Sequence, residues 1–168
     1  MFTHTTRFAL IAVAAAAIAA LPALADQDGP MRKAGSFAAK AEGAVGAAIK
    51  GDATVWQAKD YTHLYLTLNS DQMMVLKTMI SADLMWPSAN GAGHHVVLET
   101  TARPAVTAIV SWENLDTRAR HAVAATGFID FDAKDPMAGR FELTAKDGIE
   151  TLKVSGTFEN APVIPALD

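Results

Sequence analysis

The stretch Gly127 to Phe158, GFIDFDAKDPMAGRFELTAKDGIETLKVSGTF, decides the reading of this chain. It alternates with a period of two, the spacing that puts successive side chains on opposite faces of a strand. With its flank it holds three strands. The first, Val123 to Phe131, places Ala125, Gly127, Ile129 and Phe131 on one face. The second, Gly139 to Ala145, turns Phe141, Leu143 and Ala145 inward and Arg140, Glu142 and Thr144 to water. The third, Thr151 to Glu159, sets Leu152, Val154, Gly156 and Phe158 against Lys153, Ser155, Thr157 and Glu159. Asp132 to Ala138, with Asp135-Pro136, forms a longer turn. Asp147-Gly148 reads as a tight hairpin whose two central residues take positive φ.

In each strand a glycine stands two residues before a large apolar residue: Gly127 and Ile129, Gly139 and Phe141, Gly156 and Phe158. Sharing a face with its neighbour, such a glycine leaves room for a ring from the adjacent strand or lets a closing sheet bend. The pattern G-x-[IF], G-x-F, a D-G turn and a final G-T-F-x-N-x-P resembles the C-terminal half of small exported bacterial all-β proteins with no assigned function, over residues 123 to 163. That resemblance implies an antiparallel sandwich or barrel and transfers no functional residue. The apolar segment Met73 to Met85 and the double histidine stand outside it.

Working outward, the earlier half repeats the strand signal less regularly. Thr62 to Asn69 alternates Leu64, Leu66 and Leu68 against His63, Tyr65 and Thr67. Thr54 to Ala58, His94 to Thr100 and Val106 to Trp112 read as further strands, the last two joined by a turn at Ala102-Arg103-Pro104. Residues 34–50 are alanine-rich but interrupted by Gly35, Gly43 and Gly46, so a short helix near 36–42 and a strand near 44–50 are expected. Met73 to Ile80 fits a strand, or a helix capped by Ser70 or Asp71; neighbouring strands favour the strand. Trp86 to Gly93 reads as a loop, and residues 113–121 as a polar connection holding Arg118, Arg120 and His121.

Residues 1–25 have the plan of a secretory signal peptide: a basic start ending at Arg7, an apolar run from Phe8 to Ala20, and Ala23 and Ala25 at an A-x-A cleavage site. The run is shorter than the roughly 20 apolar residues a membrane helix needs, and Pro22 interrupts it. The expected organisation is a leader (1–25), a flexible arm (26–33), one β domain (34–163) and a C-terminal tail (164–168). A periplasmic or secreted location follows, with no transmembrane segment after cleavage. The chain has no cysteine, which removes a disulfide framework, a thiolate metal site and a cysteine nucleophile. Its formal net charge of −4, without a basic cluster, argues against a nucleic-acid partner.

The chemistry available is sparse. His94 and His95, with methionines elsewhere, offer ligands suited to copper or zinc, yet adjacent strand residues face opposite ways, so one alone could enter a given site. Asp130 to Asp135 departs from the calcium-loop template at Lys134 and Asp135 and reads as turn acids. No G-x-S-x-G, H-E-x-x-H or S-x-x-K is present; a hydrolase would need His, Ser and Asp assembled in space. A membrane barrel is disfavoured because the outward strand positions hold Arg140, Glu142, Lys153 and Glu159.

The expectation is an all-β soluble exported domain, an antiparallel sandwich or partly closed barrel of about eight strands with at most one short helix. Its expected role is non-catalytic binding, of a small apolar ligand or a protein partner. An interior lined by Leu64, Leu66, Leu68, Val106, Val110, Trp112, Phe141 and Phe158 is either such a ligand's site or, the favoured reading, a filled core. Function is expected in the less regular stretch from Met73 to His95.

Overall fold

The structure, a computed structural model, describes residues 33–100 and 104–165. The leader, residues 26–32 of the arm, Ala102 and Arg103 of the expected turn, and residues 166–168 lie outside them. The chain forms β1 (Gly35–Gly43), β2 (Ala47–Gln57), β3 (Tyr61–Leu68), α1 (Ser70–Leu76), β4 (Thr78–Pro87), β5 (Gly93–Val97), β6 (Thr107–Asn114), β7 (Arg120–Phe131), β8 (Met137–Asp147), β9 (Glu150–Ala161) and β10 (Val163–Pro165).

The strands pair in the order β1-β9-β8-β7-β6-β4-β3-β2, and β1 pairs again with β2, so eight antiparallel strands close into a barrel. Two short strands are added. β5 runs beside the second half of β7, from Gly127 to Phe131, beyond the part that β6 occupies. β10 lies parallel to β2, with Val163 opposite Val55. Closure removes the edges that an open sheet would expose.

The alternation of the opening stretch survives in the barrel. Ala125, Ile129, Phe131, Phe141, Leu143, Ala145, Leu152, Val154 and Phe158 all point inward and are buried. Phe158 lies opposite Gly139, and a Cβ there would sit 2.8 Å from two atoms of the ring; the glycine provides the space the aromatic fills. Gly127 serves closure differently: its φ is +148°, and a Cβ would run into the carbonyl oxygen of Glu142 on β8.

Several expectations need correction. Residues 36–42 are strand, not helix: in β1, Phe37 and Ala41 face the core while the polar positions alternate outward. Burial on one face outweighs alanine's helical preference here. The strands expected near 44–50 and at Thr54 to Ala58 are one strand, β2, in which Gly51 makes room for the Phe37 ring. Residues 70–76 are helical: Asn69 caps the helix, its Oδ1 accepting from the Gln72 N–H at 2.9 Å, and Lys77 in the left-handed region ends it. Met73 and Leu76, three apart, pack on the core from this helix, while Met74 and Val75 face solvent. β4 then continues through Trp86, so that residue belongs to a strand and not to a loop. The hairpin after β8 pairs Asp147 with Glu150, which makes Gly148 and Ile149 the central residues. Only the first has positive φ, the signature of a type II′ turn. His121 lies in β7, and Ile164 and Pro165, assigned to a tail, lie in β10.

The interior is filled. The void bounded by Phe37, Ile49, Leu66, Ile80, Ala82, Phe141 and Val154 measures about 10 Å³, no more than one water molecule requires. The eight residues expected to line the interior are all buried in this core. Charge lies outside, where Lys153 pairs with Glu142 at 3.0 Å and Lys40 pairs with Glu42. That is the reverse of a lipid-facing band. No helix among the described residues is long and apolar enough to cross a membrane.

Candidate functional site

The two ends of the barrel differ. At the end where β3 finishes and β4 begins, α1 packs Met73 and Leu76 onto the core, beside a groove of about 440 Å³ bordered by Lys50, Asp52, Asn69 and Glu159. At the opposite end a cleft of about 420 Å³ opens among the last residue of β2, the start of β3, the end of β4, the two connections that follow β4 and β7, and β10. This lies within the range of small-molecule sites, and barrel mouths are a recurrent place for them.

The alternation of β4 builds its floor. Thr78, Ile80, Ala82, Leu84 and Trp86 point inward in turn, and Trp86 is the last, so its indole meets the barrel's mouth. The ring sits 4.8 Å from that of Phe131, the last residue of β7, and Met137 lies beside them at the start of β8. Trp86 is 2% exposed, but its indole N–H is not sealed at the rim: among the described residues Gln72 Oε1 is the buried side-chain atom without a partner.

Hydrogen bonds hold the rim in place. Ser88 Oγ donates to the Ala58 carbonyl at 3.0 Å, which leaves its oxygen to accept from Thr62 Oγ1, also at 3.0 Å. The Ser88 N–H donates to the Asp60 carbonyl at 2.9 Å, tying the connection after β4 to the one after β2. His95 Nε2 donates to the Gly91 carbonyl at 2.9 Å while its ring stacks 5.1 Å from Phe131. Across the cleft, Asp132 Oδ1 accepts from the Ala138 N–H at 2.8 Å, and Asp135 Oδ1 accepts from the Val163 N–H at 3.2 Å, joining the β7–β8 turn to β10. These two acids serve the turn, as their spacing suggests. Lys134 lines the cleft between them and forms no ion pair among the described residues.

His94 and His95 part as strand geometry requires. His95 turns toward Phe131. His94 faces outward, its Nδ1 2.7 Å from Asp130 Oδ1, with Arg140 Nε 2.6 Å from the other carboxylate oxygen. The hydrogen bond from Arg140 holds the Asp130 carboxyl below the usual aspartate range; desolvation opposes it and the contact from His94 adds to it. A copper or zinc ion would therefore meet one of these two imidazoles at a time.

The other two imidazoles among the described residues are engaged separately. His121 is bracketed by Asp147, 2.8 Å from Nδ1, and Glu150, 3.4 Å from Nε2, and stacks on Trp112 at 4.7 Å. His63 meets Asp83 at 3.1 Å and stacks on Tyr65, whose phenol is pushed up by burial and by the Asp83 charge. Arg118, expected in a solvated loop, pairs with Glu113 at 3.5 Å. Among the described residues no three His, Asp or Glu side chains converge on one metal position.

The cleft draws Trp86, Ser88 and Asn90 from the irregular stretch and adds Gln57, Thr62, Phe131, Lys134 and Val163 from elsewhere. Comparison with protein-family models, with curated proteins and with solved structures finds no match to this chain.

Proposed function

We propose that this barrel is an exported, non-catalytic binding module that takes a small molecule in its mouth cleft. The observation that carries the reading is the paired Trp86 and Phe131 rings on the floor of the cleft of about 420 Å³, set against an interior void of about 10 Å³ and a groove of about 440 Å³ over β1 and β2 whose lining holds Lys50, Asp52 and Glu159. A rim fixed by hydrogen bonds between the connections after β2 and β4, and from the β7–β8 turn to β10, favours binding, because little ordering remains to be done when a ligand enters. Export is supported by the leader-like segment at residues 1–25.

Amide chemical-shift mapping of the mature chain against a small-fragment library tests the reading. The expected shifts cluster at Thr62, Trp86, Ser88 and Asn90. Shifts that gather at the α1 end, or no fragment that moves the mouth, would overturn it.

A further inference from the structure

The outer surface of the barrel has two characters. On β1, β8 and β9 the outward positions carry charge, with Lys40, Glu42, Arg140, Glu142, Lys153 and Glu159. On the mouth-side half of β2, β3 and β4 they carry rings and a thioether instead: Trp56, Tyr61, His63, Tyr65 and Met85. The registers set these side by side. Trp56 lies opposite His63, His63 lies opposite Met85, and Tyr65 lies opposite Asp83. From this juxtaposition we infer that the outer face of β2, β3 and β4 is a binding platform for a neutral oligosaccharide.

The rings are half-buried or exposed, so each keeps carbon surface in water. Those of His63 and Tyr65 lie 5.7 Å apart in planes 7° from parallel, a stack that a further flat face extends. A pyranose supplies such a face, because its axial C–H bonds are positively polarised and meet the negative face of an aromatic ring. The sugar's hydroxyls then need both donors and acceptors. His63 Nδ1 and Asp83 Oδ1, 3.1 Å apart, offer both kinds of group, and burial together with the Asp83 charge keeps the Tyr65 phenol protonated as a further donor.

Charge and area select this occupant. Asp83 is the one acid among these outward positions and it faces His63, while no Lys or Arg stands among them. An anionic chain meets no cation there. Three strands spaced about 4.8 Å apart, over the length from Tyr61 to Tyr65, give roughly 250 Å². A stable dimer needs about 800 Å² from each partner, and the curvature of a closed barrel turns the neighbouring strands away from a flat partner. A patch of this size suits a few sugar rings.

Amide chemical-shift titration of the mature chain with cellotetraose, chitotetraose and tetragalacturonate tests this. At least one of the two neutral sugars should shift the Trp56, His63 and Tyr65 amides, and tetragalacturonate should bind at least about tenfold more weakly. Trp56→Ala and Tyr65→Ala, both at outward positions, should each weaken the neutral sugar about tenfold with the circular dichroism spectrum unchanged. Tyr65→Phe, which keeps the ring, should lose less than about threefold. Tetragalacturonate binding as tightly as the neutral sugars would overturn the charge assignment. Neutral-sugar affinity unmoved by both alanine variants, or no shift at the three amides with either neutral sugar, would overturn the platform. Shifts confined to Ser88 and Asn90 would place the sugar in the mouth cleft and overturn it as well. In sedimentation velocity, a dimer that Trp56→Ala dissolves would assign the face to a second copy of the chain and equally overturn the inference.

Discussion

Replacing Phe141 with alanine tests whether the barrel is a filled core or a container. Phe141 is 2% exposed and borders the void of about 10 Å³ together with Ile49, Leu66, Ile80 and Val154. Its register partner on β9 is Gly156, which has no side chain to move into a hole, and Ala82 across the void is nearly as small. Collapse around the deletion is therefore restricted. Phe→Ala in a packed core costs about 3–5 kcal/mol, and the poor scope for relaxation places this site toward the upper part of that range. In urea, at a slope of about 2 kcal/mol per molar, the unfolding midpoint should fall by about 1.5–2.5 M with the slope unchanged. The hole should be dry and apolar, so benzene should raise the stability of the variant and leave the parent unaffected. Phe141→Leu, expected to lose about 1–2 kcal/mol, keeps the test readable if the alanine variant is too weak to fold. A loss below about 1 kcal/mol for Phe141→Ala, or equal stabilisation of parent and variant by benzene, would refute the filled core.

Two further outcomes follow from local geometry. Because Asp130 titrates below its ordinary value in the folded chain, its contribution to stability is present above the unfolded aspartate value of about 3.9 and is lost as pH falls through the lower folded value. A carboxyl NMR titration should show Arg140→Ala raising the Asp130 midpoint most and His94→Ala raising it less; an unmoved midpoint in Arg140→Ala would remove the assigned cause. Gly127→Ala combines a φ of +148° with a clash against the Glu142 carbonyl and should cost about 1–3 kcal/mol or more in urea unfolding. Gly46→Ala, with nothing within 4 Å of the added carbon, should stay within about 0.5 kcal/mol of the parent. Equal effects at the two glycines would show that backbone closure at Gly127 is not what fixes that residue.

The fold was legible where one face of a strand is buried and the other wet, because burial then writes itself into a period of two. β3, β6, β8 and β9 show this over most of their length. Legibility failed where one residue type served two structural ends. The strands read near 44–50 and at Thr54 to Ala58 are a single β2, continuous through Gly51, which makes room for the Phe37 ring. Alanine at 38, 39 and 41 suggested helix, yet these residues lie in β1, where Ala41 is buried and Gly156 on β9, opposite Ala39, has no room for a side chain. In Met73 to Ile80 a helical turn and the first residues of a strand adjoin without a proline or glycine between them; the boundary is Lys77, whose left-handed φ of 49° has no reliable mark in sequence.

The cleft was less legible than the fold for a reason that also explains its position. A barrel strand gives each inward residue neighbours on both sides until the strand passes the level where its partners end. Trp86 stands at that level: it pairs with Thr62 on β3, while β4's ladder to β6 has already stopped at Met85 opposite Thr107. An inward position without a second partner strand is where a large ring with a polar edge can bury its carbon and still present a donor. Nothing local to the Trp-Pro-Ser sequence reports this, because it depends on the lengths of β3 and β6 and on closure through β1 and β2. The signal that was available is indirect: Trp86 continues the alternation of Ile80, Ala82 and Leu84 by one more step, into a segment whose Pro, Ser, Asn and Gly otherwise mark a loop. An aromatic residue in phase with a buried face, followed at once by turn residues, places a ring at a barrel's rim. There its carbon is buried while its polar edge stays at the surface of the barrel.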